Sequence, residues 1–462
     1  MKFLALSALI FLRWTIAAPL QTNSTNPIID LGIGVYKGLH NSSTRVNIFY
    51  GIRYAPAPKG DLRWRPPQND EEVRYISRGE IIDATKPGPK CIQGTPAWQQ
   101  ETLVHTKERN ALASEDCLLL DISTPSNILP GTTLPVIVQI HGGGFTLGGV
   151  ETRPAQALMR RANNSLIYVS IQYRLGALGF LSSKALRADG SANVGLLDQR
   201  AALTWVQSHI SGFGGDPDRV TIFGGSAGGG SVTAQMMLYG GSPGLDKPPF
   251  SAAIAEYPWW QPFHADAILE AQYEQLLQAA GCADLACLRN ISEPALASAA
   301  QKTFELGYNR NAPLYGYGDY CYGPSVDGDI IRDLPSREFK RGAFSSVPLL
   351  INRDAFEGVS FSNKSEVTLE QEMTGLRSLF PNADEKFFAA LFDLYPVAEF
   401  NSTLWHRQTL FGDFIINCPT QWIADAVVLL GKPVYKMVFE AGDGQHGATS
   451  PFLFDGSPLC EL

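Results

Sequence analysis

The feature that most constrains this chain is a glycine-rich turn between a strand-like run and a helix-like run. Arg219–Phe223 has the character of a strand, Gly230–Leu238 is compatible with a helix, and the turn between them reads Gly224-Gly225-Ser226-Ala227-Gly228. A G-x-S-x-G pattern in this strand–turn–helix context is typical of a nucleophile elbow. The flanking glycines allow the strained turn that lifts the serine hydroxyl clear of the sheet, and the following helix points free amides at an anion. We therefore predict that Ser226 is a nucleophile.

A second glycine run supports that prediction. His141-Gly142-Gly143-Gly144 directly follows the strand-like run Leu134–Ile140. Glycines at such a position let several backbone N–H groups approach one point, as a tetrahedral oxyanion requires. In this arrangement the residue after the nucleophile, Ala227, supplies a further N–H group.

The wider pattern predicts an α/β fold in which a mostly parallel sheet carries helices on both faces, because short apolar runs alternate with helical patterns. The predicted strands are Leu134–Ile140, Leu166–Gln172, Arg219–Phe223, Ala252–Glu256, Pro348–Asn352 and Pro433–Phe439. The predicted helices are Pro154–Arg161, Gly195–Ile210, Ser231–Leu238, Ala267–Ala280, Glu385–Phe392 and Thr420–Leu429. We expect residues 19–462 to form a single domain.

The N-terminus has the order of a secretory signal peptide. Lys2 supplies the positive charge, Phe3–Leu12 the apolar stretch, and Ala17-Ala18 the small residues near which we expect cleavage. An exported chain also fits the N-glycosylation sequons, which begin at Asn23, Asn41, Asn163, Asn290, Asn363 and Asn401. Seven cysteines in such a chain predict disulfides with one thiol left over. We predict a secreted protein.

Composition excludes several classes of partner. The formal net charge is −8 and the sequence has no block of lysine or arginine, which argues against nucleic-acid binding. After the N-terminus, no run approaches the roughly 18 apolar residues of a transmembrane segment. The histidines are scattered, so the sequence implies no metal site and no cofactor.

A serine nucleophile needs a base, and in this order of motifs the acid and then the histidine follow the serine. His264 follows the elbow too soon, and His406 lies in a polar stretch beside a sequon, which predicts a surface position. His446 lies in a glycine-rich loop just after a predicted strand and is the candidate base. For the acid, Asp354 and Glu357 both follow the strand Pro348–Asn352, and the residues alone leave the two near parity.

At this point the chain resembles the type-B carboxylesterase/lipase family, the cholinesterase-like branch of the α/β-hydrolases. The resemblance runs from about Gly32 to about Phe454. It rests on blocks in the right order, at Gly51–Ala55, Leu62–Trp64, Glu115–Leu118, His141–Phe145, Asn193–Gln199, Phe213–Pro217, Gly224–Gly229, Val326–Gly328, Glu357-Gly358 and His446-Gly447. The family implies hydrolysis of a small-molecule carboxylic ester through an acyl-enzyme.

The resemblance also implies roles for individual residues. The family's acid is usually a glutamate before a glycine, which selects Glu357 as the partner of His446. The oxyanion donors correspond to Gly143, Gly144 and Ala227. The disulfides correspond to Cys91–Cys117 and Cys282–Cys287.

Three departures from the family bear on substrate. The elbow commonly carries a glutamate before the serine, and Gly225 stands there, which argues against specialisation for choline esters. Tyr320 and Tyr322 align with acyl-pocket aromatics and are candidate substrate-binding residues, with a plain packing role the alternative. Few residues follow His446, so we expect a C-terminus shortened relative to the family, leaving apolar surface of the sheet and the histidine loop uncovered.

Two alternatives to a simple esterase stay open. One is a lipase for longer acyl chains, with a mobile lid built on the loop closed by Cys91–Cys117. The other is a non-catalytic binding or adhesion homologue, although such proteins typically lose a member of the triad.

Three cysteines stay unassigned by the family pattern. We predict that Cys321 pairs with Cys418, provided their Cα atoms lie within about 4.4–6.8 Å, and that Cys460 is free.

Overall fold

The structure is a computed structural model that describes residues 26–68, 80–102, 112–129, 131–150, 154–241, 247–308 and 313–454. The predicted signal peptide, the sequon at Asn23 and Cys460 lie outside these ranges.

The described chain contains twelve strands, which form two sheets. In chain order they are β1 Ile28–Asp30, β2 Val35–Lys37, β3 Leu39–Asn41, β4 Val46–Arg53, β5 Ile81–Asp83, β6 Leu119–Pro125, β7 Leu134–Ile140, β8 Ile167–Ile171, β9 Gly215–Gly225, β10 Ala252–Glu256, β11 Leu349–Asp354 and β12 Val434–Phe439. The large sheet has the order β12-β11-β10-β9-β7-β8-β6-β4-β3, and a small sheet has the order β1-β2-β5. Strands β7 to β12 are mutually parallel, whereas β6, β4 and β3 extend the sheet in antiparallel pairs.

Fourteen α-helices accompany the sheets in the described chain. They are α1 Ala155–Arg161, α2 Gly176–Phe180, α3 Lys184–Asp189, α4 Val194–His209, α5 Ala227–Met237, α6 Asp266–Ala280, α7 Leu285–Asn290, α8 Glu293–Gly307, α9 Pro335–Lys340, α10 Leu369–Leu379, α11 Glu385–Leu394, α12 Thr403–Gly412, α13 Cys418–Leu429 and α14 Ser450–Phe454. Together with the sheet order they define the α/β-hydrolase fold that the sequence predicts.

The central strands are buried on both faces, because successive side chains of a strand point to opposite sides of a sheet. Alternate residues such as Val138, Val169 and Ile222 belong to the main core on one face. The residues between them, such as Tyr168 and Phe223, pack in a second cluster on the other face, with Met159 of α1 and Phe454 of α14. A strand covered on both sides reads as a continuous apolar run, which explains the agreement with prediction here.

Several blocks that carry the family resemblance form buried ion pairs rather than catalytic contacts. Arg63 pairs with Glu115 at 2.7 Å, and the guanidinium also donates to backbone carbonyls near the end of α7. Arg174 pairs with Asp198 of α4 at 2.6 Å. Both pairs are almost wholly buried. Losing one partner of such a pair leaves an uncompensated buried charge, which is strongly destabilising.

The structure contains the disulfides Cys91–Cys117 and Cys282–Cys287. Cys321 and Cys418 are not bonded to each other, so the predicted pairing is wrong. The reason is that the two thiols lie in different surroundings. The Cys321 sulfur is buried against the amide of Gln272 on α6, whereas Cys418 is half-buried at the start of α13 and close to Asp413.

Strand β12 lies at one edge of the described sheet and is far more exposed than its neighbour β11. Tyr435 is 71% exposed and Met437 44%, and Leu429 at the end of the neighbouring α13 is 84% exposed. Within the residues that the structure describes, no helix is both long enough and apolar enough to cross a membrane.

Candidate active site

Ser226 occupies the turn between β9 and α5. Its backbone φ is +59°, a conformation that non-glycine residues rarely adopt and that concentrates at functional sites. The turn is fixed on three sides: the Ser226 amide donates to the Glu256 carbonyl at 3.1 Å, and the Ser226 carbonyl accepts from the Gly230 and Trp259 amides at 2.8 and 3.0 Å. The neighbours Gly225 and Ala227 are buried while Ser226 is partly exposed. The hydroxyl is thus presented at the carboxyl edge of the sheet.

His446 lies beside Ser226 in the loop between β12 and α14. Its Nε2 is 2.9 Å from the Ser226 Oγ, and its Nδ1 is 2.6 Å from a carboxylate oxygen of Glu357. Glu357 is wholly buried and His446 is 12% exposed. The structure therefore brings the three predicted residues into one hydrogen-bonded chain, with the carboxylate on one imidazole nitrogen and the hydroxyl on the other.

Asp354, the alternative acid, is also buried but bonds to the backbone of the histidine loop. One carboxylate oxygen accepts from the Gly447 amide at 2.7 Å and the Ala448 amide at 3.2 Å. Burial, followed by the charge of Glu357, raises the pKa of the Asp354 carboxyl to about 7. The geometry therefore distinguishes the two candidate acids: the Glu357 carboxylate contacts the imidazole, whereas the Asp354 carboxylate contacts the loop backbone.

Two aromatic rings that sequence reasoning missed hold the imidazole in place. Tyr257 and Phe361 each contact the His446 ring in a T-shaped arrangement, with ring centroids 4.9 and 4.8 Å away. The Tyr257 hydroxyl lies 2.7 Å from the Ser450 hydroxyl at the start of α14. Tyr257 directly follows the predicted strand β10, which was a usable signal, because residues at the carboxyl ends of parallel strands share one edge of the sheet.

The glycine run after β7 lies against the elbow. A Cβ atom on Gly142 would come within 2.6 Å of the Gly225 carbonyl oxygen, so only glycine allows this approach. Among the described residues, the Gly143, Gly144 and Ala227 amides have no hydrogen-bond acceptor. These three free amides lie on the two glycine-rich turns that meet at Ser226, an arrangement that can bind an oxyanion.

The two predicted substrate-binding tyrosines occupy different environments. The Tyr320 ring lies directly over Gly144, where a Cβ atom would collide with it, and burial raises the pKa of its phenol to about 12. Tyr322 packs in the core, where its ring contacts Phe304 and its hydroxyl donates to Thr303 at 2.8 Å. The structure thus brings Tyr320 to the site and places Tyr322 in the packing behind it.

Neither of the other two late histidines joins the Ser226 chain. The His264 Nε2 lies 3.4 Å from a carboxylate oxygen of Asp319. His406 is wholly buried on α12, with Nδ1 2.5 Å from Glu372 and Nε2 2.9 Å from the Tyr395 carbonyl, so its predicted surface position is wrong. Burial is the largest influence and lowers the pKa of this imidazole, but the hydrogen bonds that the ring donates to Glu372 and to the Tyr395 carbonyl, together with the Glu372 charge, raise the pKa overall. A buried carboxylate on α10 thus explains how a polar stretch enters the interior.

The remaining predicted sites are the sequons. The side chains of Asn163, Asn290 and Asn401 are exposed, and those of Asn41 and Asn363 are partly exposed. All five lie outside the fully buried core, as attachment of a glycan requires.

A serine on a strained strand–helix turn, with histidine and carboxylate following in the chain, defines the class of the α/β-hydrolases. The family model described as the carboxylesterase family matches residues 25–460. The chain belongs to this family, which makes it a carboxylic ester hydrolase.

Individual relatives agree with that assignment. Carboxylesterase patB of Aspergillus clavatus is 31% identical, with 98% of this chain and 87% of the relative covered. A secreted lipase of Arthroderma benhamiae is also 31% identical, with coverages of 92% and 77%. Among solved structures, EstA of Aspergillus niger superposes with a TM-score of 0.79 at 29% identity, covering 93% of this chain and 82% of that one.

Proposed function

We propose that the protein is a secreted esterase that hydrolyses neutral carboxylic esters through an acyl-enzyme at Ser226. The observation that carries this proposal is the hydrogen-bonded chain from the Ser226 Oγ through His446 to Glu357, with distances of 2.9 and 2.6 Å. In this mechanism His446 removes the hydroxyl proton as Ser226 attacks the ester carbonyl. Glu357 orients the imidazole and stabilises its protonated form.

The developing oxyanion is the next charge that the site must accommodate. The free amides of Gly143, Gly144 and Ala227 would donate to it as the carbonyl becomes tetrahedral. His446 then gives its proton to the leaving alcohol, and water repeats the sequence to release the acid. Since Ser226, Glu357 and His446 are all present and in contact, a non-catalytic binding role has no support from this site.

The surroundings of the site favour a small, uncharged substrate. Gly225 places no carboxylate beside Ser226 to attract a cation. Trp259 packs between Tyr320 and Phe361, with ring centroids 5.6 and 4.5 Å away, so the space beside the oxyanion amides is bordered by bulky rings. We infer that short acyl groups on neutral alcohols are the preferred substrates.

A lipase is the second candidate, and the relatives named as lipases support it. The candidate lid is the loop closed by Cys91–Cys117, of which residues 103–111 lie outside the described ranges. Its described part packs against the rings beside the site, because the Trp98 ring contacts Tyr320 with a centroid distance of 5.4 Å.

Secretion is supported by three independent features. Two relatives are named secreted lipases, from Arthroderma benhamiae and Botryotinia fuckeliana. The described part of the chain contains two disulfides, which persist in oxidising compartments. The N-terminus has the charge–apolar–small order of a signal peptide.

The test is hydrolysis of p-nitrophenyl esters of increasing acyl length, together with a choline ester and its neutral counterpart. Ser226→Ala should stay folded and lose roughly 10⁴-fold or more in kcat, because the nucleophile is gone while the oxyanion donors stay. Ser208→Ala, on the exposed face of α4, is the matched control and should equal the wild type. Equal turnover by Ser226→Ala would refute the mechanism, and a maximum at long acyl chains would establish the lipase instead.

A further inference from the structure

Asp354 links the carboxylate partner of the imidazole to the loop that carries the imidazole. It is the last residue of β11 and is wholly buried. Its amide donates to a Glu357 carboxylate oxygen at 2.6 Å, while its own carboxylate accepts from the amides of Gly447 and Ala448, the two residues that follow His446. A single residue therefore touches the acid on one side and the loop that carries the base on the other.

The histidine loop needs such an anchor. It follows β12, whose side chains are largely exposed, and therefore receives little support from a packed core. Besides the Asp354 carboxylate, the backbone bond from the Phe356 amide to the Gly444 carbonyl at 2.8 Å joins this loop to the end of β11. A catalytic base must stay within a fraction of an ångström of its working position, since small displacements cost large factors in rate.

The chemical identity of the side chain is as informative as its position. An asparagine could accept hydrogen bonds from the same two amides without carrying a charge. The chain instead has a carboxylate here, three residues from buried Glu357. Its second oxygen has no hydrogen-bond partner in the described part of the chain. The groups facing this carboxylate are Glu357 and His446, with the Gly447 and Ala448 amides. Of these groups, the imidazole gains positive charge during the reaction. A second negative charge nearby would stabilise this protonated form.

We propose that Asp354 is a positioning residue for His446, which fixes the loop through the Gly447 and Ala448 amides and adds a second negative charge beside the imidazole. This inference rests on the proposed function, in which His446 is the general base. It assigns two separable effects: a geometric effect that any acceptor at position 354 provides, and a charge effect that only an ionised carboxylate provides.

The pH dependence separates the two effects. Because the pKa of the Asp354 carboxyl is raised to about 7, the wild-type side chain is largely neutral below this pH and charged above it. Asp354→Asn keeps an acceptor for the amides and is neutral at every pH. The ratio of wild-type to Asp354→Asn kcat should therefore be close to one at about pH 6 and rise to about threefold or more by about pH 8.5.

The experiment measures kcat and KM on a short p-nitrophenyl ester for wild type, Asp354→Asn and Asp354→Ala. Asp354→Ala removes both effects and should lose about 100-fold in kcat with KM within about threefold. Asp284→Ala is the matched control, because Asp284 also accepts a hydrogen bond from a backbone amide, that of Cys287, but does so at the start of α7, away from the site. It should leave kcat unchanged.

A kcat ratio that stays flat across this pH range overturns the charge effect, whether or not Asp354→Ala folds. A folded Asp354→Ala with wild-type kcat overturns the geometric effect. Ser226→Ala distinguishes these results from failure of the proposed function: if it retains wild-type turnover, the function itself is wrong. If turnover depends on Ser226 while the Asp354 variants behave as wild type, only the present inference fails.

Discussion

The Ser226 Oγ and the His446 Nε2 lie 2.9 Å apart, yet the two residues are held by regions of very different burial. The serine lies between β9 and α5, and the residues on either side of it are buried. Its backbone amide donates to the last residue of β10. The histidine follows β12, an exposed edge strand, and is held by a few polar contacts and two rings. One half of the site is thus fixed by the core, whereas the other half depends on individual side chains. The comparison predicts that single polar substitutions act mainly on the histidine side.

The largest expected effect concerns the Glu357 carboxylate. Glu357→Gln should lower kcat by about 10³-fold or more, since an amide can stabilise the wrong imidazole tautomer and does not support the imidazolium. Glu370→Gln, on the exposed surface of α10, is the control and should be neutral. Steady-state kinetics at fixed pH make the measurement. If Asp354→Asn proved more damaging than Glu357→Gln, the acid's role would pass to Asp354.

The next prediction contrasts packing on the two sides. Ile222 of β9 is wholly buried, and Ile222→Ala should cost about 3 kcal/mol of unfolding free energy because it leaves a cavity. Met437 of β12 is largely exposed, and Met437→Ala should cost less than about 1 kcal/mol. Denaturant unfolding of both variants makes the measurement. Equal costs would show that β12 is covered in solution and would remove the contrast.

The smallest expected effect is a gain in stability. The pKa of Asp354 is raised to about 7 in the folded protein, so between about pH 4 and about pH 7 the folded state binds more protons than the unfolded state. Wild-type stability therefore falls as pH rises through this window. Asp354→Asn lacks this loss, and its advantage over wild type should grow by about 1–2 kcal/mol between about pH 5 and about pH 8.

Thermal unfolding at the two pH values tests this prediction, with Asp284→Asn as the control that should show no such change. A stability difference that is the same at both pH values would mean that folding does not raise the pKa of the Asp354 carboxyl.

Sequence patterns predicted the parallel strands of the sheet better than its antiparallel strands. The strands β7 and β10 begin and end at the predicted residues, because each is a short and largely apolar run. The antiparallel strands β4 and β6 were not predicted, although β6 is nearly all buried, since its polar residues Asp121, Ser123 and Thr124 interrupt the run.

Within the site, what could be predicted was the type and order of the residues. The elbow, the glycine run and the loop of His446 each carry a local signal. The partners of Asp354 and His406 do not, because each depends on a residue far away in the chain, Gly447 in one case and Glu372 in the other. Local polarity then gave the wrong answer for His406, since a buried carboxylate supplied the partner that water would otherwise have been.

The two rings that enclose His446 also give this residue a spectroscopic signature. Aromatic rings with centroids 4.9 and 4.8 Å from the imidazole place its carbon-bound protons in strong ring-current fields. The chain has seven histidines, of which His141, His209 and His406 also lie beside aromatic rings, so the signals of His446 are identified by their loss in His446→Gln. Nuclear magnetic resonance can therefore follow the protonation of the base directly in the resting protein, without substrate.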